Sequence, residues 1–333
     1  MTGAVAVRGS GMSWFTRNLA AMVAPGGPRA RLSILIYHRV LPAVDPLFPG
    51  EVDAAAFDLQ MQWLAECFNV LPLGEAVARL ARGNLPGRAA CITFDDGYAD
   101  NAEIALPILQ RHGLRATFFI ASGFLDGGCM FNDRVIESVR RARGDKLDLT
   151  GAGLGEFNIA TPAARRQTID ALLAAIKYLP QAARDAMVDQ IAKLAQANPP
   201  AGLMMRSEQV RALHAAGMEI GGHTVHHPIL ARLDAAAARD EIAAGKEQIE
   251  GIIRAPVTLF AYPNGQPASD YTAEHVAMVK ALGFRAAVST AWGAATRSAD
   301  LYQLPRFTPW DRTPARFTLR LTRNMLRTRP TIV

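Results

Sequence analysis

Two short stretches of this chain hold residues that could act together in chemistry. In Cys91-Ile92-Thr93-Phe94-Asp95-Asp96-Gly97-Tyr98, an apolar run ends in two adjacent carboxylates and a glycine. In Gly221-Gly222-His223-Thr224-Val225-His226-His227-Pro228, three of the chain's seven histidines lie within five residues, directly after another apolar run. Neutral imidazole ligates zinc and similar divalent ions, and histidines at i and i+4 can converge on one cation. Pro228 disfavours a helical conformation at His227, so the pair belongs to a turn. His223 and His227 with one carboxylate make a ligand set that leaves a coordination position open for water. The spare carboxylate can then remove a proton. His226, between the two ligands, is expected to be packed or solvated. Each stretch alone has a plainer reading, a solvated Asp-Asp-Gly turn or a surface loop with incidental histidines.

Such residues need elements that end at a common face. An apolar run stopping at a polar cluster reads as a buried strand that delivers its end to a surface. Neighbouring strand side chains point to opposite sides, so two adjacent acids serving one site require a bend, which Gly97 permits. Strands are expected at Leu32–Tyr37, 68–71, Ala89–Phe94, 116–121, 218–221, 257–261 and 284–288, with a last extended piece at 302–307. Helices are expected between them, one capped by Asp53 and others near 74–81, 101–112, 207–216, 234–253 and 270–282. About seven strands alternating with helices give a parallel α/β fold, and a barrel and an open doubly wound sheet both fit. Either fold places a site at the carboxyl ends of its strands, where His38, Asp95, Asp96 and the Gly-Gly-His turn all fall. Around 130–206 the pattern changes to helices near 133–142, 163–178 and 181–197 without a clear strand between them. This reads as a helical insertion that either roofs the cleft or buttresses the domain.

At 333 residues, half of them hydrophobic and a fifth charged, the chain can bury a large core. No run of about 18 apolar residues suggests a spanning helix, and no clear signal peptide is visible. Cys67, Cys91 and Cys129 are odd in number and widely spaced, so a disulfide framework is not expected and a reducing, cytoplasmic location is. The net charge of +6 is unevenly distributed. Residues 1–31 carry +4 and residues 312–333 carry +6, neither with an acid, which leaves −4 for 32–311. A high pI confined to the ends is no signature of a nucleic-acid-binding domain, and no nucleic-acid partner is expected. The chain therefore divides into a basic extension (1–31), a central domain (32–311) and a basic tail (312–333). Residues 14–23 read as a short amphipathic helix stopped by Pro25-Gly26-Gly27-Pro28. A helix from Pro314 aligns Phe317, Leu321 and Met325 on one stripe and Arg316, Arg320, Arg323 and Arg327 on another. It could contact a membrane peripherally or pack its apolar stripe on the domain.

Over roughly residues 32–310 the sequence resembles the polysaccharide deacetylases of carbohydrate esterase family four, the NodB-homology domain. The motifs are Thr93-Phe94-Asp95-Asp96 and His223-Thr224-Val225-His226-His227. The resemblance implies a distorted (β/α) barrel and metal-dependent hydrolysis of the N-acetyl amide of an amino sugar in a polysaccharide or its precursor. It makes Asp95 the base, with Asp96, His223 and His227 as ligands to zinc, or else cobalt, nickel, iron or manganese. The family's Arg-x-x-x-Pro-Tyr motif is replaced by Phe260-Ala261-Tyr262-Pro263-Asn264-Gly265, with no arginine before the proline. The oxyanion role then passes to the Asn264 N–H, and Arg306 in Leu304-Pro305-Arg306-Phe307 is the candidate to orient Asp95. The family's late Leu-x-His motif is absent. Ile36-Tyr37-His38-Arg39 instead resembles the branch that partly de-N-acetylates surface poly-N-acetylglucosamine, which makes His38 the general acid. Tyr98, Tyr262 and Pro263 are expected to contact substrate, and Asp100 and Asp133 to border the cleft. Alternatives are a deacylase or deformylase of a lipid-linked sugar, and a non-catalytic carbohydrate-binding barrel.

Overall fold

Strands β1 (Leu32–Tyr37) and β3 (Ala89–Phe94) pair in parallel over six residues each, and every one of those residues is buried. Burial on both faces explains why these runs are apolar at all but Ser33 and Thr93 rather than alternating. The structure, a computed structural model, describes residues 22–197 and 200–333. The helix expected at 14–23 lies almost wholly outside them. A short strand β2 (Asn69–Val70) also pairs with β3. The sheet continues from β3 through β4 (Thr117–Ile120), β7 (Glu219–Gly222), β8 (Leu259–Ala261), β9 (Ala286–Trp292) and β10 (Leu304–Arg306), all parallel. A parallel bridge from Leu35 to Phe307 brings β10 back to β1. There the Ile36 N–H donates to Phe307 O at 3.0 Å and the Phe307 N–H to Ile34 O at 2.8 Å. The ring is nearly closed, so the fold is a distorted (β/α) barrel and not an open sheet.

One face of the strands packs Leu32, Ile34, Cys91, Phe119, Leu259 and Val288 together with helix α2 (Leu73–Arg82). Helix α1 (Ala54–Cys67) starts at Asp53, whose carboxylate accepts the Ala56 N–H at 3.0 Å. The other face packs Leu35, Tyr37, Ile92, Phe94, Phe118 and Ile120 against helices. Phe94 stacks on Phe118 with centroids 4.8 Å apart. Helix α3 (Leu106–Arg111) follows a π-turn at Asn101–Ala105, where a regular helix was expected. Pro107 has no N–H to give, which favours the wider turn ahead of it.

The insertion contains α4 (Phe131–Arg141), α5 (Pro162–Ile176) and α6 (Gln181–Leu194) around a core of its own that includes Val135, Val139, Leu172, Ile176 and Val188. It also contains an antiparallel hairpin, β5 (Lys146–Asp148) with β6 (Glu156–Asn158), which the sequence reading missed. Three-residue strands are too short to show alternation. The chain re-enters the barrel through α7 (Ser207–Ala215), and α8 (Ala235–Ile253) and α9 (Ala273–Ala281) follow β7 and β8.

Helix α10 (Pro314–Met325) buries Phe317, Leu321 and Met325 completely, with Phe317 tilted against Trp63 at 5.5 Å. Each such side chain is worth roughly 1.5–3 kcal/mol of burial. That commits the apolar stripe to the barrel, so the membrane contact expected through it is not supported. Among the described residues no helix is long and apolar enough to cross a membrane. Cys67, Cys91 and Cys129 form no disulfide with one another.

Candidate active site

The β1–β3 register sets Tyr37 beside Phe94, so His38 and Asp95 leave the sheet together. The Asp95 N–H donates to Tyr37 O at 3.0 Å and fixes that alignment. Thr93 and Asp95 follow strand alternation towards the barrel interior. Asp96 would face away, but the bend comes at Asp96 itself, with φ 78°, followed by Gly97 at φ 95°. A side chain at Gly97 would also meet Ile120 at 3.3 Å. The end of the insertion holds this loop in place: Met205 N–H donates to Gly97 O, and Ala99 N–H to Leu203 O, both at 2.9 Å.

Asp95 is fully engaged by Arg306. The two terminal guanidinium nitrogens donate to the two carboxylate oxygens at 2.7 Å each. Arg306 Nε donates to Ser289 O at 2.9 Å, and a terminal nitrogen also reaches Thr93 Oγ1 at 3.3 Å. Arg306 is 1% exposed, so its charge has no water to share and Asp95 is its counter-ion. Burial would raise the Asp95 carboxyl, but the Arg306 charge, with His223 behind it, outweighs burial and holds it below its ordinary value.

One oxygen of Asp96, Oδ1, is buried and has no hydrogen-bond partner. The Nε2 atoms of His223 and His227 lie 3.4 and 3.5 Å from it. Ligand atoms about 2.0–2.1 Å from a tetrahedral zinc would stand about 3.4 Å apart, so an orphaned oxygen at these separations fits a divalent cation. His223 Nδ1 lies 2.8 Å from Ala261 O, which assigns the proton to Nδ1 and leaves Nε2 as a lone-pair donor. Burial pulls His227 down to about 4, so its imidazole is neutral at neutral pH. His226 points elsewhere, with Nδ1 2.7 Å from Glu241, whose other oxygen accepts the Val225 and His226 N–H groups. The histidine turn packs against α8 at Gly245, where a Cβ would stand 2.7 Å from the Thr224 carbonyl carbon.

Four site positions, Asp96, Thr224, His227 and Asn264, have φ between 52° and 78°. Left-handed backbone at non-glycine residues costs about 1–3 kcal/mol each and gathers where geometry serves a function. Asn264 O accepts Thr290 Oγ1–H at 2.8 Å. Its N–H has no partner among the described residues.

His38, Asp95, Asp96, His223, His227, Asn264 and Arg306 all line one cavity of about 430 Å³. His38 reaches it from an exposed position, and its carbonyl is held by Asn101 Nδ2 at 2.9 Å. The expected substrate contacts are not all there. Tyr262 is fully buried, stacks on Tyr271 at 3.9 Å and donates its hydroxyl to Tyr302 O, so it is core rather than contact. Pro263 is buried in the turn after β8, with its carbonyl bonded to the Gly265 N–H, and does not line the cavity. Tyr98 lines a neighbouring pocket and donates to Asp133 Oδ2 at 3.0 Å, under the Arg39 guanidinium. Asp100 pairs with Arg39 at 2.8 Å and is not in the cavity. Burial pushes Asp133 up to about 7, with the Tyr98 hydroxyl and Arg39 opposing.

The sequence reading missed Asn132, Thr290 and Trp292, which also line the cavity. Trp292 ends β9, and the strand-end argument that singled out Asp95 applies to it equally. Asn132 lies in the insertion, where no motif marks it.

Barrel, cluster and paired acid in one cavity are the features of an α/β-barrel hydrolase. The chain belongs to the polysaccharide deacetylase family, whose profile matches residues 82–145 and 170–287, more than half of its length. The unmatched gap falls within the insertion. The Bacillus subtilis (strain 168) polysaccharide-deacetylase-family protein YxkH is 23% identical over 279 residues, covering 83% of this chain and 71% of YxkH. Among solved structures, the Streptococcus pyogenes deacetylase PplD in complex with acetate superposes with a TM-score of 0.58 at 19% identity, covering 89% of this chain and 99% of PplD. IcaB from Ammonifex degensii gives 0.55 at 18% identity, covering 88% and 97%. At these identities the solved structures show a shared fold.

Proposed function

We propose that this protein is a metal-dependent de-N-acetylase that hydrolyses the acetamide of an amino sugar within a polysaccharide. The observation that carries this reading is the adjacency of two differently equipped carboxylates. Asp95 is ionised by a bidentate arginine and keeps no free role as a ligand, while Asp96 offers an unpartnered oxygen to two imidazoles. A merely sugar-binding barrel has no use for such a division. PplD, solved with acetate, offers a further parallel, since acetate is the anion that hydrolysis of an N-acetyl group releases.

Asp96, His223 and His227 would hold the cation, zinc by preference, which when bound polarises the amide carbonyl and acidifies a water. Asp95 takes the proton of the attacking water on a carboxylate oxygen that Arg306 holds in position. The Asn264 N–H donates to the oxygen that becomes negative as the carbonyl carbon turns tetrahedral. His38, as imidazolium, gives a proton to the sugar nitrogen as the C–N bond breaks, so a neutral amine leaves. Acetate release from N-acetylated oligosaccharides by chelator-stripped and zinc-reloaded protein tests this reading. Activity indifferent to chelation, or no release from any N-acyl glycan across zinc, cobalt, nickel and manganese, would refute it.

A further inference from the structure

The catalytic cavity does not end at the cluster. Trp292 is a wall both of the cavity and of a groove of about 390 Å³ on its far side. That groove is lined by Arg316, Arg320, Arg323 and Arg327 of the C-terminal segment. Arg320 is neutralised by Asp311 at 2.9 Å. Arg316, Arg323 and Arg327, which line it together, have no ion-pair partner among the described residues. The segment 312–333 contains no acid that could pair with them. Trp292 and Trp310 are 44% and 49% exposed, with centroids 5.4 Å apart. The Arg327 guanidinium lies 5.7 Å from the Trp292 ring centre and that of Arg320 5.4 Å from the Trp310 ring centre. Another pocket shares Asp96, Asn132, His227 and Asn264, but not Trp292, with the cavity and carries Lys177 and Arg184 of the insertion. Neither of these has an ion-pair partner among the described residues, and Arg184 Nε is buried without a hydrogen bond.

We infer that the substrate is an acidic polysaccharide, bound across the cluster with carboxylate- or phosphate-bearing sugars in the arginine groove. This rests on the deacetylase reading above. Indole faces stack on sugar rings, and guanidinium forks take carboxylate or phosphate oxygens in pairs. Basic groups in two different pockets that adjoin the cavity suit an internal sugar of an extended chain. The position next to the cavity, across Trp292, favours a glycan over a nucleic acid or a lipid surface, since only the glycan also carries the amide to be cleaved.

The test uses the full-length Asp95→Asn protein, zinc-loaded, and follows tryptophan fluorescence. The probes are an alternating glucuronate–N-acetylglucosamine octasaccharide, a phosphodiester-linked N-acetylglucosamine oligomer of similar length, and neutral chitooctaose. An acidic probe should bind roughly tenfold more tightly than chitooctaose at low salt, and the ratio should collapse at high salt. The carboxylate and phosphate probes between them report which anion is preferred. In the triple variant Arg316→Gln, Arg323→Gln, Arg327→Gln the ratio should fall towards one, with an unchanged melting temperature as the check on folding. Equal affinity for acidic and neutral chains, or a ratio that survives the triple substitution, overturns the inference. So does tighter binding of a single-stranded oligonucleotide or of phosphatidylglycerol vesicles through the same arginines. A separate readout, acetate release by the unsubstituted protein, keeps the two readings apart. No release despite acidic preference sinks the hydrolase reading alone, and release without preference sinks the groove alone.

Discussion

Arg306 and Asp95, 211 residues apart in sequence, meet through two parallel 2.7 Å hydrogen bonds between almost fully buried side chains. Removing one member of a buried ion pair leaves the other charge uncompensated and costs about 3–5 kcal/mol. Arg306→Ala should lose stability on that scale in urea unfolding and should lose most deacylation. Arg306→Lys should recover part of the stability but little activity, because an ammonium cannot hold both oxygens. A loss below about 1 kcal/mol for the alanine variant would show that the pair is not the buried unit described.

Asp95→Asn keeps the size of the side chain but removes the base and one of the two acceptors that Arg306 uses, so its melting temperature should fall as well. Turnover should fall by at least about 10²-fold with one zinc per chain still bound by elemental analysis. Full activity would disprove the base assignment. His38→Ala should slow cleavage of a sugar acetamide far more than that of an ester whose alcohol leaves without protonation. Equal slowing of both would argue that His38 only positions the substrate.

Gly245 allows α8 to approach the histidine turn. Glycine to alanine inside a helix ordinarily gains about 1 kcal/mol. Here the added methyl would press on the Thr224 backbone at 2.7–2.8 Å, between the two histidine ligands. Gly245→Ala should therefore weaken zinc affinity about tenfold or more in chelator competition. Unchanged affinity would mean that the turn yields freely.

Asp133 provides a pH test outside the cluster. Its folded pKa of about 7 lies above the unfolded value. The folded state therefore retains a proton that the unfolded state has lost between about pH 4 and 7, so this group's contribution to stability falls as pH rises through that window. The contribution amounts to at most about 4 kcal/mol at 1.36 kcal/mol per unit. Asp133→Asn should flatten that fall, so the variant's stability relative to the native protein should grow from pH 4 to pH 8. A constant difference across that range would remove the assignment.

Much of the barrel was legible because strands buried on both faces write themselves as nearly continuous apolar runs, as Leu32–Tyr37 and Ala89–Phe94 do with Ser33 and Thr93 as their one polar residue each. The carboxylates and histidines were legible because each follows such a run immediately. Tyr262 was misread because proximity to a motif says nothing about which face a side chain takes. It turns into the core and stacks on Tyr271. Trp292 was passed over because β9 runs four residues beyond the apolar stretch that announced it. The β5–β6 hairpin leaves no periodic trace at three residues a strand. Arg306 was named as the partner of Asp95 only through the family resemblance and its place at a strand end; the residues alone do not give the pairing, which depends on which strand closes the ring.

The closure between β10 and β1 also has a kinetic meaning. The group that steadies Asp95 arrives on the last strand of the barrel, while Asp96 and both histidines are carried by earlier ones. Contacts of such large sequence separation form late, because the loop between them must first be closed. A chain folding from its amino end can therefore assemble its cation ligands before it has an oriented base. On the proposed mechanism, chemical competence would then arrive only when the ring shuts, and the closing strand would be the last requirement for catalysis.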